Sequence, residues 1–300
     1  MDEVSHSGFA VLVGRPNAGK STLVNALVGS KVAIVSDKAQ TTRHRLRAVL
    51  DRDDAQVVLI DTPGLHKPID ALGEELNRSA LRALTDVDVA CLLVDASKAV
   101  GRGDAWVAAH VAASPASKVL VMTKSDLVDQ LEMERRTAEG LELAPFDAVV
   151  NVSAADRFNL DGFVDAVTEL LPPGPRYFPR DMATDQTLEV MIAEFIREKV
   201  LLHTFDEVPH AVGVGLEDLG YNTKTDTSVI YAVVYVERDS QKGIVVGKRG
   251  GMIKQIGEEA RVDLERLLGN KVWLDLNVKV KKDWRRDASQ IRRFGYGEGG

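Results

Sequence analysis

Apolar and polar positions follow two different rhythms along the chain. In the front half, short runs apolar at nearly every position (residues 9–13, 88–94 and 118–122) are separated by longer segments in which apolar residues recur every three or four positions. A run without in-and-out alternation suits a strand covered on both faces, as in a parallel sheet. Residues 46–50, 56–60 and 147–152 supply three more strands, and residues 21–28, 71–84, 104–113, 128–141 and 160–171 have helical spacing. This order predicts an α/β domain over residues 1–171: a mostly parallel sheet, helices on both faces, and a ligand at the carboxyl ends of the strands.

The rhythm changes at Pro172, Pro173, Pro175 and Pro179, which cannot continue a helix, and the chain stays polar through Asp185. Residues 172–185 are expected to form an extended linker. In the remainder, residues 186–300, Leu188, Met191, Ile192, Phe195, Ile196 and Lys199 trace one side of a helix over 187–203. Strand-like segments 211–217 and 228–237 flank a polar turn that includes Gly220. A glycine loop, a helix, a strand over 272–280 and a short basic helix follow. A second, smaller α+β domain is the expectation.

Composition narrows the class. With 45% hydrophobic and 28% charged residues the chain reads as a folded, soluble protein. Its one cysteine, Cys91, lies in an apolar run, forms no intramolecular disulfide and suits a reducing compartment. Residues 1–8 are acidic and polar, unlike a secretory leader, and no apolar window reaches bilayer length. The net charge of -7 hides an asymmetry: residues 241–300 hold 14 lysines and arginines against 8 acidic residues, leaving 24 against 37 elsewhere. An acidic front with a basic tail points the tail toward an anionic partner, and charge alone does not choose among RNA, DNA and membrane.

The chemistry of the front half starts where the first strand ends. Gly14, Arg15, Pro16, Asn17, Ala18, Gly19, Lys20 and Ser21, followed by Thr22, form G-x-x-x-x-G-K-S between a strand and a helix. In that pattern backbone N–H groups cradle phosphates, Lys20 reaches the β and γ phosphates, and the Ser21 hydroxyl is placed to hold Mg²⁺. Thr41 and Thr42 lie in an irregular polar segment, where a nucleotide switch needs a threonine. Asp61 ends an apolar strand and begins Asp61-Thr62-Pro63-Gly64, placing a carboxylate near the metal and the Gly64 N–H near the γ phosphate. Another strand ends in Thr123, Lys124, Ser125 and Asp126. There a carboxylate can accept two hydrogen bonds from guanine that adenine cannot donate, while the Lys124 stem lies along the base. Ser153, Ala154 and Ala155 then offer backbone N–H groups to the base carbonyl.

In the second domain the decisive stretch is Gly247-Lys248-Arg249-Gly250, between an apolar entry and a helix carrying Lys254. Glycines let a sugar-phosphate backbone approach closely and the two cations meet it. Ile253 and Ile256 are expected to pack inward, leaving Lys254 exposed. Lys281, Lys282, Arg285 and Arg286 are equally consistent with a solvated face, and Trp284 suits either base stacking or the core.

Taken in order, G-R-P-N-A-G-K-S, T-T-R, D-T-P-G, T-K-S-D and S-A-A resemble the five guanine-nucleotide motifs of translation-factor-related GTPases. Residues 38–45 and the G-x-x-G segment extend the resemblance to the bacterial Era family, a GTPase domain followed by a type II KH domain. The resemblance implies GTP and GDP as ligands and Mg²⁺ held by Ser21, Asp61 and a switch threonine, most naturally Thr42 with Thr41 open. It also implies a potassium ion held by Asn17, with Lys20, Thr42 and Gly64 serving hydrolysis. Leu65 stands where a water-orienting glutamine is absent, which implies slow intrinsic turnover. Implied partners are 16S ribosomal RNA near its 3′ end and the assembling small subunit. A monomer in the cytoplasm, with peripheral association at the membrane, is implied as well.

Two positions depart from the family pattern. Thr123 replaces an asparagine whose amide ties the base loop to the phosphate loop and touches the base, so lower affinity or rigidity is expected. Ala155 replaces a lysine at a position whose backbone makes most of the contact, so little loss is expected there. The sequence leaves three other readings open: an RNA-binding scaffold that guanine nucleotide merely stabilises, an ATP-using enzyme, and DNA in place of RNA.

Overall fold

The computed structural model describes residues 6–296; the first five of residues 1–8, read above as acidic and polar, and the last four residues of the second domain lie outside it. The chain forms two compact units. The first runs from the start of the described chain to Val35 and continues as Thr42–Ile69 and Gly73–Asp185; the second comprises Ser36–Thr41, Asp70–Leu72 and the chain from Gln186 onward.

Elements of the front half are β1 (His6–Gly14), α1 (Lys20–Val28), β2 (Leu46–Asp51), β3 (Ala55–Asp61), α2 (Ala71–Arg82), β4 (Val89–Asp95), α3 (Arg102–Ala112), β5 (Ser117–Thr123), α4 (Gln130–Leu141), β6 (Ala148–Asn151) and α5 (Leu160–Thr168). The sheet has the order β2-β3-β1-β4-β5-β6, with β2 antiparallel to β3 and every other pairing parallel. The unbroken apolar runs follow from this layering. Ala10 and Leu12 of β1 and Cys91 and Leu93 of β4 join the core beneath α1 and α5. Val11, Val13, Leu92 and Val94, one step along the same strands, join the core beneath α2, α3 and α4. Both faces are covered, so neither set is polar.

The proline-rich stretch differs from the expected linker. Residues 172–185 belong to the first unit and strap its edge. Arg176 reaches Asp51 (3.1 Å) and the carbonyls of Arg52 (2.7 Å) and Asp53 (2.8 Å). The buried Gln56 amide donates to Phe178 O (2.9 Å) and accepts from the N–H groups of Tyr177 (2.8 Å) and Phe178 (3.0 Å). Farther along, Val49 N–H donates to Ala183 O (3.0 Å), and the Thr184 hydroxyl to Arg47 O (2.7 Å). An edge strand presents unpaired backbone groups, and prolines that donate nothing can still run along it.

The second unit contains α6 (Leu188–His203), α7 (Val208–Ala211), β7 (Gly213–Asn222), β8 (Thr227–Val236), α8 (Asp239–Val246), α9 (Gly251–Leu268), β9 (Lys271–Val280) and α10 (Ala288–Arg293). β8 is central, antiparallel to β7 and parallel to β9. Thr187 caps α6 by accepting from Val190 N–H. Ile192, Phe195 and Ile196 of α6, Ile256, Ala260 and Leu264 of α9 and Ile230, Ala232 and Val234 of β8 are all buried. Lys199, expected on the inner stripe, sits at its rim, paired to Glu198 (3.0 Å) and Asp263 (2.5 Å).

Three expectations are corrected here. Gly220 lies inside β7, opposite Val229, and the turn falls at residues 223–226; a register shift between Leu216 and Asp218 breaks the alternation that would have revealed the longer strand. The apolar entry at 243–246 is the last turn of α8, an eight-residue helix whose start is capped by the Gln241 side chain; its glycine and β-branched residues mask the helical spacing. The short α7 carries a proline in its first turn, a helix-start signal that the reading of 211–217 as the first strand passes over.

Trp284 is a core residue: it is fully buried, donates from Nε1 to Ala211 O (2.8 Å) and meets Phe294 edge-on (4.9 Å between ring centres). Trp284→Phe is expected to lower unfolding stability by about 1–3 kcal/mol, since the Ala211 carbonyl loses its donor in a buried place. Trp284→Ala should cost about 3–5 kcal/mol. Urea unfolding followed by circular dichroism measures both, and a Trp284→Ala variant of unchanged stability would contradict the assignment.

Candidate functional site

Every motif of the first unit is delivered to the carboxyl edge of its sheet. β1 ends at Gly14, β3 at Asp61, β4 at Asp95 and β5 at Thr123. Gly14 is pressed against its neighbour strand, where an added Cβ would lie 2.6 Å from Leu93 O. The loop turns through left-handed backbone at Asn17 (φ 64°) and Gly19 (φ 89°), and α1 begins at Lys20 without a side-chain cap. Its first N–H groups therefore face the loop, as anion binding at a helix start requires. Thr22 lies in that first turn, and Asn17 is exposed. Arg15 points aside, its guanidinium 3.2 Å from Asp104 of α3.

Lys20 is buried, with Nζ 3.1 Å from Arg15 O and 3.4 Å from Gly14 O. Burial pushes its pKa down to about 8 against the pull of Asp61. The Asp61 carboxyl is pushed up by the same burial, against Lys20 and the Ser21 hydroxyl. Ser21 Oγ donates to Asp61 Oδ2 (2.6 Å) and lies 2.8 Å from Thr42 Oγ1. Asp61 Oδ1 is buried with no hydrogen-bond partner. Two hydroxyls and an orphaned carboxylate oxygen, all hard donors, fit Mg²⁺, which takes few protein ligands alongside phosphate and water. Thr41 is turned elsewhere, its hydroxyl donating to Lys38 O (2.6 Å). Of the two threonines, the structure brings Thr42 to this cluster.

Gly64 closes the phosphate side: an added Cβ would lie 2.7 Å from the Pro16 N and Cα atoms, and Leu65 N–H donates to Gly14 O (3.0 Å). Leu65 is buried in the core and offers no polar group. Asn77 of α2 donates to His66 O (2.6 Å) and steadies the segment that follows.

On the base side, Ser153 Oγ donates to Asp126 Oδ1 (2.5 Å) and fixes the exposed carboxylate. Ser125 N–H joins the two loops through Val152 O (3.2 Å), and Ala154 and Ala155 follow Ser153 at their rim. Lys124, in left-handed backbone (φ 59°), extends to Asp95 Oδ2 (2.7 Å). Burial would raise the Asp95 carboxyl, but Lys124 and Ser97 outweigh it and hold it below its ordinary value. Thr123 is buried, with its hydroxyl 2.8 Å from Ala18 O and 3.1 Å from Val94 O. The tie between base loop and phosphate loop survives the replacement of asparagine, because a hydroxyl suffices when the acceptor is a backbone carbonyl. Sequence reasoning misses Asp95, although it ends an apolar strand just as Asp61 does. It gives Ser153 only a backbone role, because nothing in S-A-A shows that its hydroxyl turns to Asp126.

The second unit carries the other candidate surface. Gly247 (φ 72°) ends α8, Lys248 and Arg249 are exposed, and Gly250 (φ 77°) starts α9 with nothing within 4 Å of a Cβ placed there. A Cβ on Gly247 would lie 2.5 Å from Met252 Cβ. Lys254 is exposed one turn on, Ile256 is buried and Ile253 partly so. Arg285 is committed to Glu237 (2.8 Å) and Asp70 (3.0 Å), which removes it from the free basic set. No helix among the described residues is long and apolar enough to cross a membrane.

Ser153→Ala should weaken guanine-nucleotide affinity by about three- to tenfold, the worth of one hydrogen bond to a charged group, without moving the melting temperature of the nucleotide-free protein by more than a few degrees. Titration with fluorescent GDP and a thermal melt check the two halves separately; unchanged affinity would mean that Asp126 needs no clamp.

Residues 9–124 match the family described as 50S ribosome-binding GTPase, and residues 207–285 match the KH domain. The whole chain is similar to a point variant of Aquifex aeolicus Era bound to GDP.AlF4-, with 35% identity and a TM-score of 0.94 over 97% of this chain and 99% of that one. It is equally similar, at 35% identity and TM-score 0.94 over 98% and 99%, to Era in complex with MgGDPNP and nucleotides 1506–1542 of 16S ribosomal RNA. Likeness at this level across both units, with the phosphate loop and the G-x-x-G loop each where the fold requires it, means that the chain belongs to the Era family of GTPases.

Proposed function

We propose that this protein is a GTP-hydrolysing switch that binds 16S ribosomal RNA near its 3′ end and acts in assembly of the small ribosomal subunit. The observation that carries the catalytic half is the convergence of Lys20, Ser21, Thr42 and the unpaired Asp61 oxygen at one sheet edge. Era relatives captured with GDP.AlF4- and with MgGDPNP and a 16S fragment support both halves.

In this reading the amides of residues 14–22 and the Lys20 ammonium hold the phosphates, Asp126 selects guanine, and Ser153, Ala154 and Ala155 flank the base. Ser21, Thr42 and Asp61 would hold Mg²⁺, which when bound neutralises charge on the β and γ oxygens. Lys20 carries the same duty from the protein side: its burial cost falls once an anion takes the place of the two carbonyls it now touches. Gly64 N–H meets the γ phosphate, and Asn17 would hold K⁺. With Leu65 buried, no side chain next to Gly64 orients water, so basal turnover is slow. Gly247, Lys248, Arg249, Gly250 and Lys254 take the RNA backbone. The protein acts as a cytoplasmic monomer and meets the membrane, where it does so, only peripherally.

The first experiment is competition of GTP, GDP and ATP against one fluorescent guanine nucleotide, in potassium and then in sodium, followed by phosphate release over many turnovers. Guanine preference of at least about 100-fold is expected, from the two base hydrogen bonds that ATP cannot make. Lys20→Ala should reduce turnover by about 100-fold or more, as loss of a major electrostatic group does. Tight guanine binding without multiple turnover would make the chain a nucleotide-stabilised RNA-binding scaffold, and similar ATP affinity would overturn the assignment of Asp126.

A further inference from the structure

The sheet of the second unit has a covered face and an open one. Leu276 of β9 points to the covered face, where a Cβ placed on Gly257 of α9 would lie 3.6 Å from it. Alternate positions turn the other way. On β8 these are Val229, Tyr231, Val233 and Tyr235, and the pairing of β8 with both neighbours sorts them into rows.

Two of the rows are covered. Tyr235, between Gly213 and Lys279, meets the Phe294 ring at the end of α10 (5.3 Å between centres), and a Cβ on Gly213 would lie 3.3 Å from that ring. Val233, between Gly215 and Asn277, is fully buried, and Lys279 reaches across β8 to Glu217 (2.5 Å). The other two rows are bare. Tyr231 is 37% exposed and Trp273, opposite Val229, is 48% exposed; their rings meet edge-on, 5.2 Å between centres. Gly220 lies on the other side of Val229 with nothing within 4 Å of a Cβ placed there, so the aromatic pair borders an open notch. One exposed apolar side chain needs no explanation, but two large rings in contact on a sheet face do.

Tyr231 also stands between two carboxylates. Asp218 is its partner on β7 and Asp275 its partner on β9, and residues directly opposite each other in a sheet lie about 5 Å apart at Cβ. The bulge between Leu216 and Asp218 inserts Glu217 as an extra residue, so two acidic side chains serve this face from one strand. Glu217 is taken by Lys279; Asp218 accepts from the N–H of its neighbour Leu219 (3.0 Å). Neither Asp218 nor Asp275 has a cation partner among the described residues. Lys271, exposed, lies a row beyond Trp273, opposite Thr227.

An aromatic face flanked by two carboxylates suits a guanidinium: the ring attracts the cation and stacks on its plane, while a carboxylate takes its N–H groups in pairs. The same carboxylates repel phosphate, which the G-x-x-G loop is made to meet. We propose that the bare end of this sheet face docks a basic protein segment, with an arginine laid on the Tyr231 ring between Asp218 and Asp275. The surface lies within the second unit and requires no nucleotide.

The test titrates the full chain, labelled with ¹⁵N, with a synthetic peptide of arginines spaced by glycine and serine, with its lysine counterpart, and with an RNA oligonucleotide. The amide signals of residues 218–220, 229–231 and 273–275 are expected to move together with the arginine peptide, which should bind about threefold tighter than the lysine one. Asp218→Asn combined with Asp275→Asn should weaken binding about fivefold and Tyr231→Thr about threefold, whereas Tyr231→Phe should hold it within about twofold. Thermal melts check each variant; if Tyr231→Thr does not fold, the paired asparagine substitutions decide. Shifts centred elsewhere, no preference for arginine, or unchanged affinity in the asparagine variant overturn the proposal. So does an oligonucleotide that moves the same signals, which would make the face an RNA surface, or a dimer in sedimentation that Tyr231→Thr abolishes, which would make a second copy the occupant.

Discussion

The register of the parallel strands is the constraint on which the nucleotide site depends. Leu12 pairs with Asp61, Gly14 with Leu93 and Asp95 with Thr123, so the metal-side carboxylate, the phosphate turn and the base loop follow one another along the carboxyl edge in steps of two residues. A slip of one residue would carry Val11 and Val13 into the layer built from Ala10 and Leu12, and the two cores differ in the helices that cover them. Packing on both faces thus fixes the register, and the register fixes the chemistry.

That arrangement explains why the first unit is legible in its sequence. Apolar runs mark the strands, and the residues just past each run mark Gly14, Asp61 and Asp126. What the pattern hides are contacts made across the sheet edge. Asp95 holds Lys124 and Ser153 holds Asp126 through pairs 29 and 27 residues apart in sequence, and no local rule of spacing exposes such pairs. The strap over residues 172–185 is hidden for another reason. Proline marks the end of a helix equally well whether the chain then runs free or lies along an edge, and the deciding partner, Gln56, is 122 residues from Phe178.

The second unit is harder to read, because its punctuation is ambiguous. Gly220 marks a turn by propensity, yet it sits within β7, where a register shift nearby lets the strand continue. Gly243 sits inside α8, a helix whose second half, Gly243 to Val246, is glycine and β-branched residues of weak helix propensity, and which is held at its start by the Gln241 side chain on two backbone N–H groups. The G-x-x-G loop itself is clear, since its glycines have separate physical jobs: Gly247 makes room for Met252, and Gly250 opens the left-handed entry to α9. Trp284 cannot be decided from sequence, where a tryptophan beside four basic residues suits RNA as well as a core. Only the buried bond to Ala211 decides it.

Burial of charge ties these features together. Lys20, Asp61 and Arg197 are all enclosed, and an enclosed ion is costly unless something answers it. The charge of Arg197 is answered within the protein by Glu194, with a backbone carbonyl on the same terminal nitrogen, although its Nη1 has no hydrogen-bond partner. Lys20 and Asp61 are answered only in part: burial depresses the ammonium and raises the carboxyl, and one carboxylate oxygen has no partner. Within the nucleotide site the incomplete answer falls on the phosphate loop and the metal cluster, while the base side is already satisfied through Ser153, Asp95 and Ala18. A phosphate chain with its cation supplies the missing negative and positive charge together, so its binding relieves both groups at once, whereas a bare base would relieve neither. The site is therefore built to take most of its binding energy from phosphate and metal and to use the base mainly for selection, which is the division of labour a switch needs if loss of one phosphate is to change what holds Thr42.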